Sequence, residues 1–589
     1  MSCPSRSSRS LLLLVIATAV AVSVFAVSVF AGAGGAVAVT PDGATAGSEG
    51  PVAAAWQWIT GQLGPATPAT SASSIDFSQD YDASWTGPVT GSFVPRGVSA
   101  PVVDDAALEV TAPSAVPPDY AGTVSGDVTV TPQAGRWIVQ AYRRTADGLA
   151  QVPLQALVAP DGTFSIDLGA AGDVPAGTWA LGLLDADNGY APTGQPWPDE
   201  VYEGWSVRQY VVTDTAYLVG EQPASADGSF AFADSRPGTK VVQLVDDRTG
   251  AVLAERAPDF GLVRSYAGGS TTYTYDQALA VLAAGAVGDP AAAARLTAGL
   301  LTLQLGDGGF VASADSRNPA AALPLVRTGI TAVATYALLR RLAALAPDDP
   351  ARPAVAAGAQ AGVTWLLSQQ RADGLIPGVT GDYRSDGSFD DAAAVGWVST
   401  ENDLDAWQAL SLAGRVLGDD GASSAADRLA TALLERLWDP TEGRFDEGLA
   451  ADGTVDTTDP LDVSSWGSVF LQDVGRPELA RQALDHTAAF ASSAAGVSGF
   501  RAYYPQAAFP AAPANVWVEG SAGVVLAHQV GGSSDAAADL LTGLAGAQRP
   551  DGGFPYAMVA DAVTGMTDDA SVAAAAWFVL ASTPGSIWS

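Results

Sequence analysis

The chain has 589 residues, 48% of them hydrophobic, with 63 acidic against 28 basic side chains and a formal net charge of −35. This length exceeds what one hydrophobic core supports, so we expect roughly two to four domains. The negative charge repels nucleic acids and anionic lipid, which excludes DNA or RNA as a partner. A single cysteine, Cys3, excludes an internal disulfide, and two histidines, His486 and His528, argue against a His-rich zinc site. We predict no metal centre and no cofactor, with calcium bound by aspartates as the open alternative.

The N-terminal segment has the pattern of a secretory signal. Arg6 and Arg9 precede an uncharged, mostly apolar run over residues 11–31, and small residues follow it. We predict a signal peptide over residues 1–38. The apolar run is also long enough to span a bilayer, so an uncleaved membrane anchor is the alternative. Both interpretations predict a secreted or membrane-anchored, extracytoplasmic protein. Residues 39–74 are rich in Ala, Gly, Ser, Thr and Pro, which predicts a flexible tether.

Short alternating segments separated by turns indicate β-structure up to about residue 265. We predict β-sandwich modules over residues 75–206 and a second small β module over residues 207–265. Two stretches are alike, Asp161-Gly-Thr-Phe-Ser-Ile and Asp227-Gly-Ser-Phe-Ala-Phe. An Asp-Gly turn before an alternating strand resembles the small sandwich modules of the transthyretin-like or carboxypeptidase-regulatory kind. That resemblance implies a fold and hardly constrains function.

From Tyr273 onwards the apolar period changes from two residues to about 3.6, which indicates helices. Apolar helices are predicted to begin at Thr274, Thr328, Thr400, Asp462, Asn515 and Ala570. More polar helices are predicted between them, at about 289–305, 350–370, 421–437, 476–491 and 533–549. Two helices per unit indicate a helical repeat, and six pairs can close into a ring. The predicted fold class is therefore multidomain, with all-β sandwich modules followed by an all-α (α/α)6 toroid over residues 266–589.

A glycine-containing motif punctuates the predicted hairpins. Gln304-x-x-Asp307-Gly-Gly-Phe310 recurs as Gln548-x-x-Asp551-Gly-Gly-Phe554, and Gln370-x-x-Asp373-Gly is a degenerate copy. The last apolar helix has no polar partner after it. The sixth outer helix is therefore either missing or supplied from elsewhere in the chain.

The starts of the apolar helices carry the candidate catalytic residues. In a closed ring alternate helices run in the same direction, so the inner starts converge on one rim. We predict Glu401 and Glu519 as an acid/base pair, with Asp276 and Asp403 as supporting carboxylates. The structural alternative is that acids in a first turn complement the helix dipole and cap its end, as in the predicted Thr400–Asp403 and Thr274–Gln277 capping boxes. By the same reasoning Asp462 is more typical of an N-cap.

Aromatic side chains near these starts are the candidate sugar contacts, because an aromatic ring stacks on the apolar face of a sugar. Trp397 and Trp517 lie at junctions between a loop and a helix, Trp466 lies one turn into its helix, and Tyr273 directly precedes one. We predict these four as substrate-binding residues. Packing in the core is the alternative for each tryptophan.

Three of these segments carry a resemblance. Tyr275-Asp276-Gln277-Ala-Leu-Ala, Ser399-Thr400-Glu401-Asn402-Asp403-Leu-Asp405-Ala and Trp517-Val-Glu519-Gly520 resemble the extracytoplasmic bacterial six-hairpin glycosidase-like proteins. The resemblance covers about residues 273–583. It implies the toroid, a carbohydrate substrate and a rim site of carboxylates. That superfamily also contains lyases, phosphorylases and epimerases, and analogy of fold constrains the reaction only weakly.

The scarcity of His and Lys argues against a His-based epimerase and against a lyase with a Lys base. We therefore predict a glycoside hydrolase that cleaves a polysaccharide or cell-wall glycan. The alternatives are a non-catalytic glycan-binding or cell-wall scaffold protein and a polysaccharide lyase that uses Tyr or Arg.

Overall fold

The fold was analysed in a computed structural model. It describes residues 50–589 with the exception of 65–72, 96–106, 113–120, 130–136, 146–147, 160–161, 172–177, 186–204, 214–215, 226–228, 234, 248–250, 384–388, 505–512, 584, 586 and 589. The predicted signal or anchor over residues 1–38 lies outside the described residues. None of the described helices is long and apolar enough to cross a membrane. The chain divides into two compact units, one of residues 67–211 and 217–256 and one that holds the remainder.

The first of these units consists of β-strands. Its strands are β1 Ser73–Phe77, β2 Val89–Pro95, β3 Ala107–Ala112, β4 Thr123–Thr129, β5 Trp137–Thr145, β6 Gly148–Leu157, β7 Thr163–Asp167, β8 Thr178–Asp185, β9 Trp205–Val212, β10 Ala216–Pro223, β11 Ser229–Phe232, β12 Thr239–Asp246 and β13 Ala251–Arg256. Strand β7 alternates exposed and buried side chains, and so does β11, as expected where only one face of a sheet meets a core. Phe164 of β7 and Phe230 of β11 each point into a hydrophobic core.

These strands form four sheets around two separate cores. Sheets β3-β4-β7 and β6-β5-β8 supply one core, which includes Val124, Val139 and Phe164. Sheets β1-β2-β11 and β10-β9-β12-β13 supply the other, which includes Phe93 and Leu244. The first sandwich is thus inserted between strands of the second. The division expected at residue 206 differs from this grouping, because alternation marks a strand but not its partner. The turns expected at Asp161 and Asp227 lie outside the described residues.

The second unit is a ring of helices. The described residues contain α1 Pro51–Gly61, α2 Thr274–Val287, α3 Pro290–Thr302, α4 Thr328–Ala344, α5 Arg352–Gln369, α6 Thr400–Leu417, α7 Asp420–Arg436, α8 Leu461–Asp473, α9 Pro477–His486, α10 Val518–Val530, α11 Ser534–Ala545 and α12 Val572–Ala581. The inner helices α2, α4, α6, α8, α10 and α12 pack each on the next, and α12 packs on α2. The predicted closed ring of hairpins is therefore present.

Side-chain composition decides which helices lie inside. Every residue of α12, from Val572 to Ala581, is buried, as expected for a helix that is apolar all round. The outer helix α9 buries only Ala480 and Ala483.

Short strands also connect the helices: β14 Thr271–Tyr273, β15 Val311–Asp315, β16 Asn318–Val326, β17 Val379–Tyr383, β18 Phe389–Val395, β19 Val398–Ser399, β20 Trp438–Asp439, β21 Arg444–Phe445, β22 Gly448–Leu449, β23 Val455–Asp456, β24 Ala491–Ala494 and β25 Val497–Phe500. The all-α description is corrected accordingly, since these strands are too short for a period to appear in the sequence.

The missing outer helix is supplied by the N-terminal part of the chain. Helix α1 packs on α12, where the sixth outer helix belongs. Trp58 and Ile59 are buried there. Residues 39–74 were expected to form a flexible tether, and that expectation is wrong for residues 51–61. Tryptophan and isoleucine within a stretch of small residues give this short helix enough apolar surface to bind the ring.

The repeated Gln-x-x-Asp-Gly motif makes the same hydrogen bond to an outer helix at three places in the ring. The side-chain amide of Gln304 donates to the carbonyl of Gly358 in α5, and that of Gln370 donates to Ala425 in α7, both at 2.9 Å. Gln548 makes the same bond to Pro51 in α1, at 2.8 Å. Each motif thus fastens a hairpin to the next outer helix around the ring. Helix α1 takes part in this repeat although it lies at the opposite end of the sequence.

The capping boxes expected at Thr274 and Thr400 are absent. Neither helix has a side-chain cap at its N-cap residue. The hydroxyl groups of Thr274, Thr328 and Thr400 donate instead to the carbonyls of Val311, Pro377 and Asp446, each 2.5–2.6 Å away. Each accepting carbonyl belongs to the segment that leads towards the next inner helix. A threonine at the first helical residue therefore sets the spacing between neighbouring helix starts.

Candidate functional site

Five carboxyl groups meet at the rim where the inner helices begin. Asp276 comes from α2, Glu401 from α6, Asp462 from α8 and Glu519 from α10, while Glu447 lies between β21 and β22. Glu401 is repelled by Asp462, Glu447 and Glu519, and Glu519 is repelled by Asp276 and Asp462. The structure thus brings together Asp276, Glu401 and Glu519, which lie up to 243 residues apart in sequence.

The position of each acid within its helix explains this convergence. Glu401, Asp462 and Glu519 are each the second residue of their helix, and Asp276 is the third of α2. Residues of a first turn lie at the mouth of the ring, where the free N–H groups of the helix ends favour a negative charge. Asp462 was interpreted as an N-cap, which is wrong because Pro460 occupies that position and Asp462 lies inside the helix.

The connecting segments fix the fifth acid beside the others. Strand β19 pairs with β22, and the backbone N–H of Thr400 donates to the carbonyl of Glu447 at 2.7 Å. Glu447 therefore sits directly beside the start of α6 and Glu401. Sequence reasoning missed this residue because it belongs to no long periodic element. The acidic pair Asp446–Glu447 before Gly448 was the available signal.

Burial is the main cause of the raised pKa values in this group. It raises the pKa of Glu519 to about 8, although the hydrogen bond from Tyr275 acts in the opposite direction. It raises the pKa of Asp276 to about 7, and that of Asp462 also to about 7. The pKa of Glu401 is raised by burial and then by repulsion from Asp462 and Asp405. At neutral pH this group therefore retains protons that ordinary carboxyl groups lose.

Basic side chains near the rim are engaged elsewhere. Arg444 contacts Asp446 at 3.4 Å and Asp459 at 3.7 Å, and the Nε2 atom of His486 lies 2.9 Å from Asp459. Among the described residues, no ion pair joins a base to any of the five rim carboxyls. Nor do the described residues include a group of three or more His, Cys, Asp or Glu that could hold a metal ion.

Glu519 has the most defined surroundings of the five. The hydroxyl of Tyr275 donates to its Oε1 atom at 2.6 Å. The indole N–H of Trp577 donates in turn to the Tyr275 hydroxyl at 2.9 Å. Tyr275 and Trp577 also line a small cavity inside the ring, together with Asp405, Tyr336 and Trp588. This chain of hydrogen bonds links the rim to the interior of the ring.

Tyrosines form the lining of the mouth. Tyr266, Tyr273 and Tyr503 are half-buried, and Tyr556 is buried beneath them. The ring of Tyr266 meets those of Tyr273 and Tyr556 edge-on, with centroids 6.2 and 6.3 Å apart. Burial raises the pKa of Tyr503, and so do the nearby charges of Asp462, Glu447 and Glu401. Aromatic faces and carboxyl groups therefore share one mouth.

Local bridges position these tyrosines. Tyr503 pairs with Pro460 at the start of α8, and Tyr266 pairs with Ser571 at the start of α12. The carbonyl of Tyr556 accepts the N–H of Val518, the first residue of α10. A tyrosine is thus attached to the start of a helix at three places around the ring. Of the four tyrosines at the mouth, sequence reasoning identified only Tyr273 as a candidate sugar contact.

Asp403 lies apart from the other predicted carboxylates. It is fully buried on the opposite side of α6, and its Oδ2 atom accepts the N–H of Ile376 at 3.3 Å. The charges that act on its pKa are those of Arg371 and Asp373. The helical period explains this placement, since residues two apart face opposite sides. Asp405, one turn below Glu401, faces the ring interior instead.

The predicted sugar contacts separate into core and mouth residues. Trp466 is buried and stacked on Trp577, with centroids 5.4 Å apart and planes at 14°. Trp517 is buried against Tyr556. Trp397 is buried as well, with the guanidinium of Arg327 5.7 Å from its ring centre. Tyr273 alone of the four is half-exposed at the mouth. Apolar size explains the difference, because a tryptophan near a helix start reaches the core beneath it.

Comparison with known proteins gave structural matches only. No protein-family model matches the chain, and no curated protein matches it. The chain is similar to a solved structure described as a wild-type glycosidase, at 13% identity and a TM-score of 0.40, over 55% of this chain and 91% of that one. It is similar to a D-mannose isomerase at 12% identity and a TM-score of 0.39, over 53% and 88%.

A third match extends further along the chain. It is a family 76 glycoside hydrolase from a bovine Bacteroides thetaiotaomicron strain, at 11% identity and a TM-score of 0.40, over 82% of this chain and 99% of that one. The structural neighbours thus include glycosidases. Likeness at these identities and TM-scores carries no argument about the activity of this chain, which has to come from its own residues.

Proposed function

We propose that this protein is an extracytoplasmic glycoside hydrolase that cleaves a polysaccharide or cell-wall glycan. The observation that supports the proposal is the convergence of five carboxyl groups from distant parts of the chain on one mouth lined by tyrosines. Glycosidic cleavage requires one carboxyl that protonates the leaving oxygen and a second that activates water or attacks the sugar. The extracytoplasmic location rests on the signal-like residues 1–38.

Glu519 suits the role of the general acid. Its pKa of about 8 keeps it protonated at neutral pH, and its buried position holds the proton away from bulk water. When it gives that proton to the glycosidic oxygen, the bond to the sugar carbon breaks and Glu519 becomes a carboxylate. The hydrogen bond from Tyr275 stabilises that carboxylate.

Glu401 suits the role of the partner carboxylate. It is half-exposed, whereas Asp276, Glu447, Asp462 and Glu519 are buried. Its side chain can therefore reach water or sugar in the mouth. Burial and repulsion from Asp462 raise its pKa, so it ionises only while its acidic neighbours keep their protons. Asp276 and Asp462 then act as neighbours that hold protons and tune the charge of the pair. Asp403 has no part in this mechanism, because it faces the opposite side of α6.

The charge of the mouth favours an uncharged sugar. A uronate or a sulfated glycan would meet no positive charge there, because among the described residues no base is ion-paired with the five rim acids, and any of these acids that is ionised adds repulsion. A lyase acting on uronates has to bind the substrate carboxylate and stabilise a developing anion, which this electrostatic environment opposes. Tyr266, Tyr273 and Tyr503 offer stacking surfaces that need no charge on the ligand.

A substrate panel tests the proposal. Purified protein is incubated with neutral, uronate-containing and amino-sugar polysaccharides, and both reducing ends and ultraviolet-absorbing unsaturated products are measured. We expect reducing ends from one or more neutral glycans without ultraviolet absorbance. An unsaturated product would instead establish a lyase. Retention on an insoluble glycan with no product from any substrate would support the non-catalytic binding alternative.

A further inference from the structure

Tyr275 occupies the junction between three inner helices. It is the second residue of α2, and its hydroxyl lies between Glu519 of α10 and Trp577 of α12. The side chain is in the ring interior beside Asp405, at the wall of the small cavity described above. A hydroxyl with two partners on two other helices is held in one orientation.

The chemistry of these partners fixes the direction of the hydrogen bonds. An indole N–H can only donate, so the oxygen of Tyr275 accepts from Trp577. The single proton of the phenol is then free for Glu519. The distance of 2.6 Å to Oε1 lies in the range for a hydrogen bond from an O–H donor to a carboxyl oxygen. Oε1 accepts this proton whether Glu519 is ionised or protonated. When Glu519 is protonated, its own proton therefore lies on Oε2.

We propose that Tyr275 is a positioning residue for Glu519, holding Oε1 so that the proton to be transferred is presented on Oε2 towards the mouth, with Trp577 fixing the phenol in turn. The inference rests on the proposed function, since it assigns a donor atom within the same pair of carboxyls. Tyr275 does not transfer a proton itself. It acts by fixing the carboxyl plane and by stabilising the carboxylate that remains after transfer.

Two variants of the relay and one matched control test this inference. Tyr275→Phe removes the hydroxyl that bonds Glu519, and Trp577→Phe removes the donor behind it. Tyr336→Phe makes the same chemical change at the same cavity, but its hydroxyl bonds the N–H of Trp588 and the guanidinium of Arg340 instead of an acid. The pH dependence of kcat is measured for all four proteins on a neutral glycan that the wild type cleaves.

For Tyr275→Phe we expect a fall in kcat with KM little changed, and an alkaline limb shifted upwards by about one pH unit or more, because a lost hydrogen bond to the carboxylate raises the pKa of Glu519. Trp577→Phe is expected to give a smaller shift in the same direction, and Tyr336→Phe none. An alkaline limb that stays in place in Tyr275→Phe, in protein that remains folded by circular dichroism, would overturn the inference.

Infrared spectroscopy separates failure of this inference from failure of the proposed function. The C=O stretch of protonated Glu519 is identified as the band lost in Glu519→Gln, and its pH midpoint is followed without substrate. We expect the midpoint to rise in Tyr275→Phe and to stay in Tyr336→Phe. If the wild type has no hydrolytic activity but the midpoint still rises in Tyr275→Phe, the proposed hydrolase activity is refuted and the hydrogen-bond assignment stands. An unshifted midpoint in Tyr275→Phe would refute the assignment.

Discussion

The side-chain amide of Gln548 donates to the carbonyl of Pro51 at 2.8 Å, although 497 residues separate the two in sequence. This bond joins the last motif of the ring to the first described helix. It repeats the contact that Gln304 makes with Gly358. Helix α1 is therefore part of the ring in the same sense as the other outer helices.

Loss of the apolar face of α1 should destabilise the whole ring. Trp58 is buried and packs close to Gly553 in the last motif. We expect Trp58→Ala to lower the free energy of unfolding by roughly 3–5 kcal/mol, because it removes a large buried ring. Thr60→Ala is the control, since the Thr60 hydroxyl bonds the carbonyl of Gln57 within the same helix. Thermal unfolding followed by circular dichroism at 222 nm compares them, and equal stability of both variants would show that α1 is dispensable.

The motif glycine that faces α1 is expected to be intolerant of any side chain. Gly552 has φ +92°, and a Cβ there would collide with the carbonyl of Ala54. Gly475 has φ +70° with open space around it. We expect Gly475→Ala to cost about 1 kcal/mol through backbone strain alone, and Gly552→Ala roughly 2–4 kcal/mol through strain and collision. Chemical denaturation measures both, and equal losses would contradict the close approach of α1.

The protons held at the rim should make stability depend on pH. Burial raises the pKa of Asp462 from 3.8 to about 7. A carboxyl whose folded pKa lies above its unfolded value contributes stability that is complete below pH 3.8 and lost as pH rises through 7. Asp462→Asn removes this loss. We therefore expect the free energy of unfolding of the variant, relative to that of the wild type, to increase by on the order of 3 kcal/mol between pH 5 and pH 8.5.

Unfolding of wild type and Asp462→Asn at the two pH values measures this gain. Asp427→Asn, an exposed acid on α7, is the control and should follow the wild type. A constant difference between Asp462→Asn and the wild type across this range would mean that Asp462 titrates as an ordinary carboxyl.

Core and mouth aromatics should respond differently to truncation. Trp466 is buried and stacked on Trp577, so Trp466→Ala should cost roughly 3–5 kcal/mol of stability. Tyr273 is half-exposed, so Tyr273→Ala should raise KM for a glycan several-fold while changing stability by less. Melting temperatures and initial rates over a substrate series distinguish the two effects. An unchanged KM in Tyr273→Ala would remove it from the substrate-binding residues.

The helical half of the fold could be predicted because its signals are local. Helices begin at Thr274, Thr328 and Thr400 as predicted, since the period of 3.6 is visible in each segment alone. The ring followed from the repetition of these segments. The convergence of Glu401 and Glu519 followed from the ring, without any knowledge of side-chain contacts.

Features that depend on long-range pairing could not be predicted. The place of α1, the pairing of β2 with β11, and the position of Glu447 beside α6 are set by contacts between distant segments. The capping boxes were mispredicted for the same reason, because the Thr400 hydroxyl finds the distant carbonyl of Asp446 instead of its own helix. A local motif predicts which hydrogen bonds a side chain is able to form. The tertiary structure determines which partner it actually bonds.

The catalytic assignment is tested most directly by turnover of Glu519→Gln and Glu401→Gln on a neutral glycan that the wild type cleaves, with the exposed acid Glu435→Gln as control. Both rim variants replace a carboxyl group with an amide of nearly the same size. We expect each to lower kcat by at least about 100-fold while Glu435→Gln matches the wild type. Wild-type turnover in both rim variants would contradict the account.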